Sequence, residues 1–159
     1  HHVLVILDDK VIGGLRVTHD GAAIAGDELE PCPIGRLGEI GRDGVHVRLV
    51  DARTANYYSG EDFTDQRGPH LVGHIAGARN IPFTTVLDDS SRVLPPAKLL
   101  ELFKAAGITP GDTVVAYCHS GQQATVLLLA ARRAGFPTRL YDGSMNDWQA
   151  RKLPIVKVP

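Results

Sequence analysis

Cys118 stands where the apolar run Thr113-Val114-Val115-Ala116-Tyr117 gives way to an Ala-Leu-rich stretch from Ala124 to Ala134. That is the pattern of a buried strand passing into a helix. A helix begins with unpaired backbone N–H groups and the positive end of its dipole, so an anionic sulfur placed there is stabilised. Such a thiol ionises more easily than free cysteine, whose pKa is about 8.5, and becomes a usable nucleophile. The residues in between, His119, Ser120, Gly121, Gln122 and Gln123, form a loop around the sulfur. Gly121 permits tight curvature, and successive N–H groups from His119 to Ala124 can point inward as a nest for an anion. His119 is either a general acid or base or a passive residue at the pocket mouth. Gln122 and Gln123 either donate to an oxyanion or cap and solvate the helix. The competing reading of Cys118 is an inert buried cysteine.

The elements that must carry this loop follow from the pattern after Val45. Short apolar runs alternate with amphipathic stretches, which predicts an α/β fold with a central, mostly parallel sheet flanked by helices on both faces. Val47 to Asp51 is a predicted strand, and Ala78 to Ile81 a second, closed by Pro82. Pro95-Pro96 opens a predicted helix through Ala106, with Leu99, Leu100, Leu102 and Phe103 as its apolar face. After the central strand at 113–117, a helix from about Gln123 to Ala134 is stopped by Gly135 and Pro137. Arg139 to Tyr141 supplies a last strand, and Asp147 to Ala150 a short closing helix. In open α/β sheets ligands bind outside the carboxyl ends of the strands, so Asp51 and Cys118 are expected beside one pocket. Asp51 and Arg53 are read as a structural pair near that site. Residues 1–44 differ, with short strand-like runs (Val3 to Leu7, Leu15 to Thr18, Ala22 to Ile24) that suit a hairpin or linker. They are read as a short β-rich N-terminal extension, or the remnant of an upstream domain.

Composition narrows the function classes. The 159 residues fit one compact domain, and 43% apolar with 22% charged residues is ordinary globular usage. A net charge of −1 with dispersed basic residues argues against a nucleic-acid partner. The longest apolar stretch, Thr125 to Ala131, is far short of the roughly 18 residues of a membrane span, so a soluble protein with no membrane partner is expected. The compartment is left open, with cytoplasm slightly favoured over periplasm. Cys32 and Cys118 lie in unlike contexts, which speaks against a structural disulfide. His74 has no second ligand at metal spacing, and neither a metal nor a cofactor is expected.

Four motifs in order give the chain a resemblance to the rhodanese-like sulfurtransferases, the thiosulfate and 3-mercaptopyruvate sulfurtransferase family, over residues 45–159. Leu49-Val50-Asp51-Ala52-Arg53 resembles the family's first strand and Asp-x-Arg step. Gly73-His74-Ile75-Ala76-Gly77-Ala78 is similar to its Gly-His-Ile-x-Gly-Ala signature, Cys118 opens a loop of the family's six-residue length, and residues 141–148 resemble its closing Tyr-Asp-Gly-Ser-Trp-x-Glu-Trp motif. The resemblance implies a Cys118 persulfide that carries sulfur from a small donor, of thiosulfate or 3-mercaptopyruvate type, to a thiol or cyanide-like acceptor. It also implies the possibility of an upstream domain or partner chain at the pocket. The loop carries neither the Arg or Lys common among thiosulfate users nor the Cys-Gly-Ser-Gly-Val-Thr of mercaptopyruvate users. Tyr57 stands where the latter have a substrate-binding arginine, and Arg67 is a candidate second anion-binding arginine. In the closing motif Met145 and Asp147 replace the usual tryptophan and glutamate. Two alternatives compete. A phosphatase of related fold needs arginine at the position of Ala124, whose guanidinium would clamp phosphate. A non-catalytic rhodanese-like binding or regulatory module, or half of a tandem protein, accommodates the unusual loop.

Overall fold

A computed structural model describes residues 46–61, 64–65, 68–69 and 72–158. Its main sheet has four parallel strands in the order β4-β1-β5-β6: β1 (Val47–Asp51), β4 (Arg79–Asn80), β5 (Thr113–Tyr117) and β6 (Thr138–Leu140). A separate antiparallel pair joins β2 (Thr64–Asp65) to β3 (Gly68–Pro69). β1 and β5 form the central pair, in register from Val47 opposite Thr113 to Asp51 opposite Tyr117. Both strands end at one edge, so Asp51 and the residue after Tyr117, the cysteine, are brought together as strand polarity requires.

Side chains alternate across the sheet, and the two faces carry separate cores. Val50, Val114 and Ala116 face a layer built from α2 (Pro96–Ala105), α3 (Gln122–Arg133) and the 3-10 helix Phe83–Val86. On the opposite face Leu49, Val115 and Tyr117 meet Ile75, Ala78 and Met145, the last from α4 (Ser144–Ala150), with Tyr58 from α1 (Ala55–Ser59) beside them. A sheet covered on both faces explains why β5 reads as a continuous apolar run. Pro96 sits at the first position of α2, where its missing N–H costs nothing. Leu99 and Phe103 of α2 are fully buried, each stabilising the fold by about 1.5–3 kcal/mol relative to exposure. α3 ends where Gly135 takes φ +92° and Phe136 N–H bonds back to the Ala131 carbonyl at 3.0 Å, a left-handed stop that satisfies its last carbonyls.

The expected α/β layering is present, with shifts at several ends. The strand expected over Ala78 to Ile81 pairs only at Arg79–Asn80. The last strand starts at Thr138 and ends before Tyr141, whose N–H still bonds the Ala116 carbonyl. The closing helix begins at Ser144, three residues earlier than expected. The extension at 1–44 and Cys32 lie outside the described residues.

Candidate active site

Cys118 follows β5 directly and is buried, 1% exposed, with a free thiol. The loop curls so that the Gly121 N–H donates to Cys118 Sγ at 3.1 Å. Gly121 is the cap of α3 and sits at φ +95°, so its amide turns back toward the sulfur while its carbonyl accepts the Thr125 N–H at 3.1 Å. A β-carbon on Gly121 would lie 2.9 Å from Asp142 Oδ1 and 3.1 Å from the Asp142 carbonyl. Both the backbone angle and the space therefore require glycine.

The start of the loop is held from the opposite side by α4. The Cys118 N–H donates to Ser144 Oγ at 3.1 Å, and that hydroxyl donates in turn to the Tyr141 carbonyl at 2.8 Å. Met145 and Asn146 donate their N–H groups to the carbonyls of Cys118 and His119, each at 3.0 Å. With its carbonyls drawn outward to α4, the loop is left with its amides for an anion. A sulfur anion here would be held by the Gly121 N–H and the N-terminal end of α3.

His119 is half-buried and meets the Tyr57 ring edge-on, centroids 4.4 Å apart. The Arg53 guanidinium lies 5.8 Å from the Tyr57 centroid on α1 and 6.0 Å from that of Tyr117. Tyr57 thus joins the Asp-x-Arg step to the cysteine loop. Ser120 and Gln122 are exposed. Gln122 and Gln123 are the first two residues of α3, one and two positions past the cap at Gly121, so neither caps the helix. Gln123 holds its amide oxygen buried without a hydrogen-bond partner. Ala124 is fully buried, so the place where a phosphatase needs arginine is core. Arg67 lies outside the described residues.

Asp51 and Arg53 are fully buried and paired through two short contacts, Nη2 to Oδ2 at 2.6 Å and Nε to Oδ1 at 2.9 Å. Arg53 Nη2 also donates to the Gly73 carbonyl at 2.6 Å, and the Asn80 amide donates to the carbonyls of Asp51 and Arg53. The pair braces the carboxyl edge of the sheet against the Gly-His turn. Tyr117 accepts the Ile75 N–H at 3.1 Å, and burial, reinforced by the Asp51 charge, pushes its phenol far up, so it stays neutral. His74 Nδ1 lies 2.8 Å from the Tyr58 carbonyl and its ring stacks on Tyr58 at 3.8 Å. Among the described residues no cluster of three His, Cys, Asp or Glu side chains could hold a metal, and no helix is long and apolar enough to cross a membrane. Ser144 and Asp142 were not foreseen as site residues. They belong to the closing motif at 141–148, and only its three-dimensional approach puts them on the loop.

Comparison with known proteins gives the same direction. The family model described as rhodanese-like domain matches residues 37–151. A Pseudomonas aeruginosa protein named "Probable 3-mercaptopyruvate sulfurtransferase" is 40% identical over 145 residues, covering 85% of this chain and 49% of its own length. The Escherichia coli 3-mercaptopyruvate sulfurtransferase is 33% identical over 115 residues, 70% of this chain and 40% of that protein. Among solved structures, the sulfur transferase subunit described as sub-stoichiometric in yeast mitochondrial complex I superimposes with a TM-score of 0.60 at 31% identity, over 71% of this chain and 38% of that one. The chain thus spans about half the length of the curated relatives it matches. Since the family match takes in most of the sequence, including the strands and the cysteine loop just described, the chain belongs to the rhodanese-like domain family.

Proposed function

We propose that this domain is a sulfurtransferase moving sulfane sulfur through a Cys118 persulfide. The observation that carries the reading is the Gly121 N–H aimed at Cys118 Sγ, 3.1 Å away, at the junction of β5 and α3. It is the contact that a sulfur anion needs and a merely packed cysteine does not. The relatives' names, thiosulfate and 3-mercaptopyruvate sulfurtransferase, support the same donor classes.

With thiosulfate, the Cys118 thiolate attacks the outer sulfur, the S–S bond of the donor breaks, and sulfite leaves with the bonding electron pair. With 3-mercaptopyruvate, the C–S bond breaks and the carbon takes the electrons and the thiol proton, leaving pyruvate. Either way the enzyme holds Cys–S–S⁻, stabilised by the loop amides. A thiolate or cyanide acceptor then takes the outer sulfur and Cys118 returns as thiolate, a ping-pong cycle. The partners in this reading are a small donor and a thiol or cyanide-like acceptor, with a further domain or chain completing the pocket, as the unmatched half of the relatives allows.

Mass spectrometry after incubation with thiosulfate or 3-mercaptopyruvate tests it. A gain of about one sulfur atom, lost on cyanide treatment and absent in Cys118→Ser, is expected. No gain with any donor would leave a non-catalytic module of the same family instead.

A further inference from the structure

Ser144 holds a backbone conformation that its residue type disfavours. Its φ is +50°, in the left-handed region, yet it is fully buried; among the described residues the other non-glycine residues with positive φ, Ser91 and Lys152, are exposed. A side chain in this region costs about 1–2 kcal/mol that glycine would avoid. Seven other described positions with positive φ are glycine. What serine offers in return is one hydroxyl, placed between the Tyr141 carbonyl, to which it donates at 2.8 Å, and the Cys118 N–H, from which it accepts at 3.1 Å.

We propose that Ser144 is a positioning residue for the nucleophile: its hydroxyl fixes the Cys118 backbone so that Sγ stays on the Gly121 amide. The inference deepens the sulfur-transfer reading and rests on it for the role of Cys118. Because the hydroxyl proton is committed to Tyr141, its lone pair must face the Cys118 N–H, and the bond has one direction. On the same peptide the Tyr117 carbonyl accepts the Ala52 N–H at 2.9 Å, while Met145 N–H to the Cys118 carbonyl and Asn146 N–H to the His119 carbonyl fix the next two peptides of the loop. Without the hydroxyl the buried Cys118 N–H has lost its acceptor, and the peptide tilts about the one bond left to it, the Ala52 N–H on the Tyr117 carbonyl. Sγ is two bonds from that backbone with a single torsion between, so its distance to the Gly121 N–H grows and the thiolate loses its donor.

Ser144→Gly separates this role from a structural one, because glycine suits φ +50° better than serine while lacking the hydroxyl. The experiment follows the rate of iodoacetamide alkylation at Cys118 against pH in the donor-free full chain. It is read on the Cys118 peptide by mass spectrometry, so that Cys32 does not contribute. The expected result is a folded Ser144→Gly protein that melts within a few degrees of wild type, the relieved backbone strain offsetting the lost hydrogen bonds, but whose Cys118 alkylation midpoint has moved up by about one pH unit. That is about tenfold less thiolate at a fixed pH below the midpoint. Ser144→Ala, which keeps the β-carbon, is expected to show the same shift with lower stability. A wild-type midpoint in folded Ser144→Gly overturns the proposal, as does a shift in Ser144→Ala alone, which would assign the effect to strain. Because no donor is present, failure of sulfur transfer is read separately, by the absence of a persulfide in the wild-type protein.

Discussion

At the scale of single residues, the site depends on positions where one atom more or one charge fewer cannot be absorbed. Gly121→Ala adds a carbon 2.9 Å from Asp142 Oδ1 at a backbone angle of +95°. It is expected to destabilise the domain by about 1–3 kcal/mol and to slow persulfide formation further than that loss explains, because the amide that moves is the one on Sγ. Denaturant unfolding and single-turnover sulfur loading measure the two effects, and unchanged loading would show that the amide is dispensable. The Asp51 and Arg53 pair behaves differently, since both groups are fully buried and each is the other's compensation. Asp51→Asn leaves a buried guanidinium short of its counter-charge and is expected to cost about 3–5 kcal/mol, with the double variant Asp51→Asn, Arg53→Met costing less than the two single changes added together. Strict additivity in urea unfolding would mean that the two side chains stabilise the sheet edge independently.

At the scale of elements, legibility followed length and periodicity. The run at 113–117 is apolar throughout because β5 is covered on both faces, and α2 and α3 repeat apolar residues at helical spacing, so each was readable to within a residue or so. The cysteine loop was placed for the same reason, as the junction of two legible elements. Helix α1, the 3-10 helix and the β2 and β3 pair are two to five residues long, too short to show a period, and are set by contacts from elsewhere. Ser144 illustrates this for the site, because its importance lies in a bond to Cys118, 26 positions away in sequence. The turn into β5 gives an element-scale prediction. Burial works to raise the Asp112 carboxyl, but the Thr109 N–H at 2.7 Å and the Arg48 guanidinium at 3.1 Å outweigh it and hold the group below the usual carboxylate range. A depressed folded value means that this bracing is complete above the unfolded carboxylate range, about pH 4, and is lost as pH falls through the folded value. Asp112→Asn is therefore expected to lower stability near neutrality and to flatten its fall in acid. Parallel stability curves for the two proteins below about pH 4 would contradict this assignment.

At the scale of the whole molecule, the site is tied to a segment far from it in sequence. Residues 154–158 run back across the Gly-His turn. The Val156 N–H and carbonyl exchange bonds with His74 at 2.9 and 2.8 Å, the Val158 N–H reaches the Ser59 carbonyl at 2.8 Å, and the Trp148 indole donates to the Pro154 carbonyl at 2.9 Å. The Val156 pair fixes His74, and the carbonyl of the adjoining Gly73 is the partner of Arg53 at 2.6 Å. Arg53 pairs with Asp51 at the edge of β1, directly beside the end of β5 that presents the cysteine. Removing residues 154–159 therefore strips hydrogen bonds worth about 1 kcal/mol each from the turn, from Ser59 and from the Trp148 indole. The expected cost is about 2–4 kcal/mol, roughly 5–15 °C in melting temperature for a domain of this size. The loss should reach the site through Arg53, so the truncated protein should load sulfur more slowly at a temperature where it is still fully folded. Combining the truncation with Arg53→Met should slow loading no further than Arg53→Met alone. Fully additive slowing in that double change would place the tail's influence on some other route than the Gly73 carbonyl, and a melting temperature within about two degrees of wild type would show that the segment braces nothing.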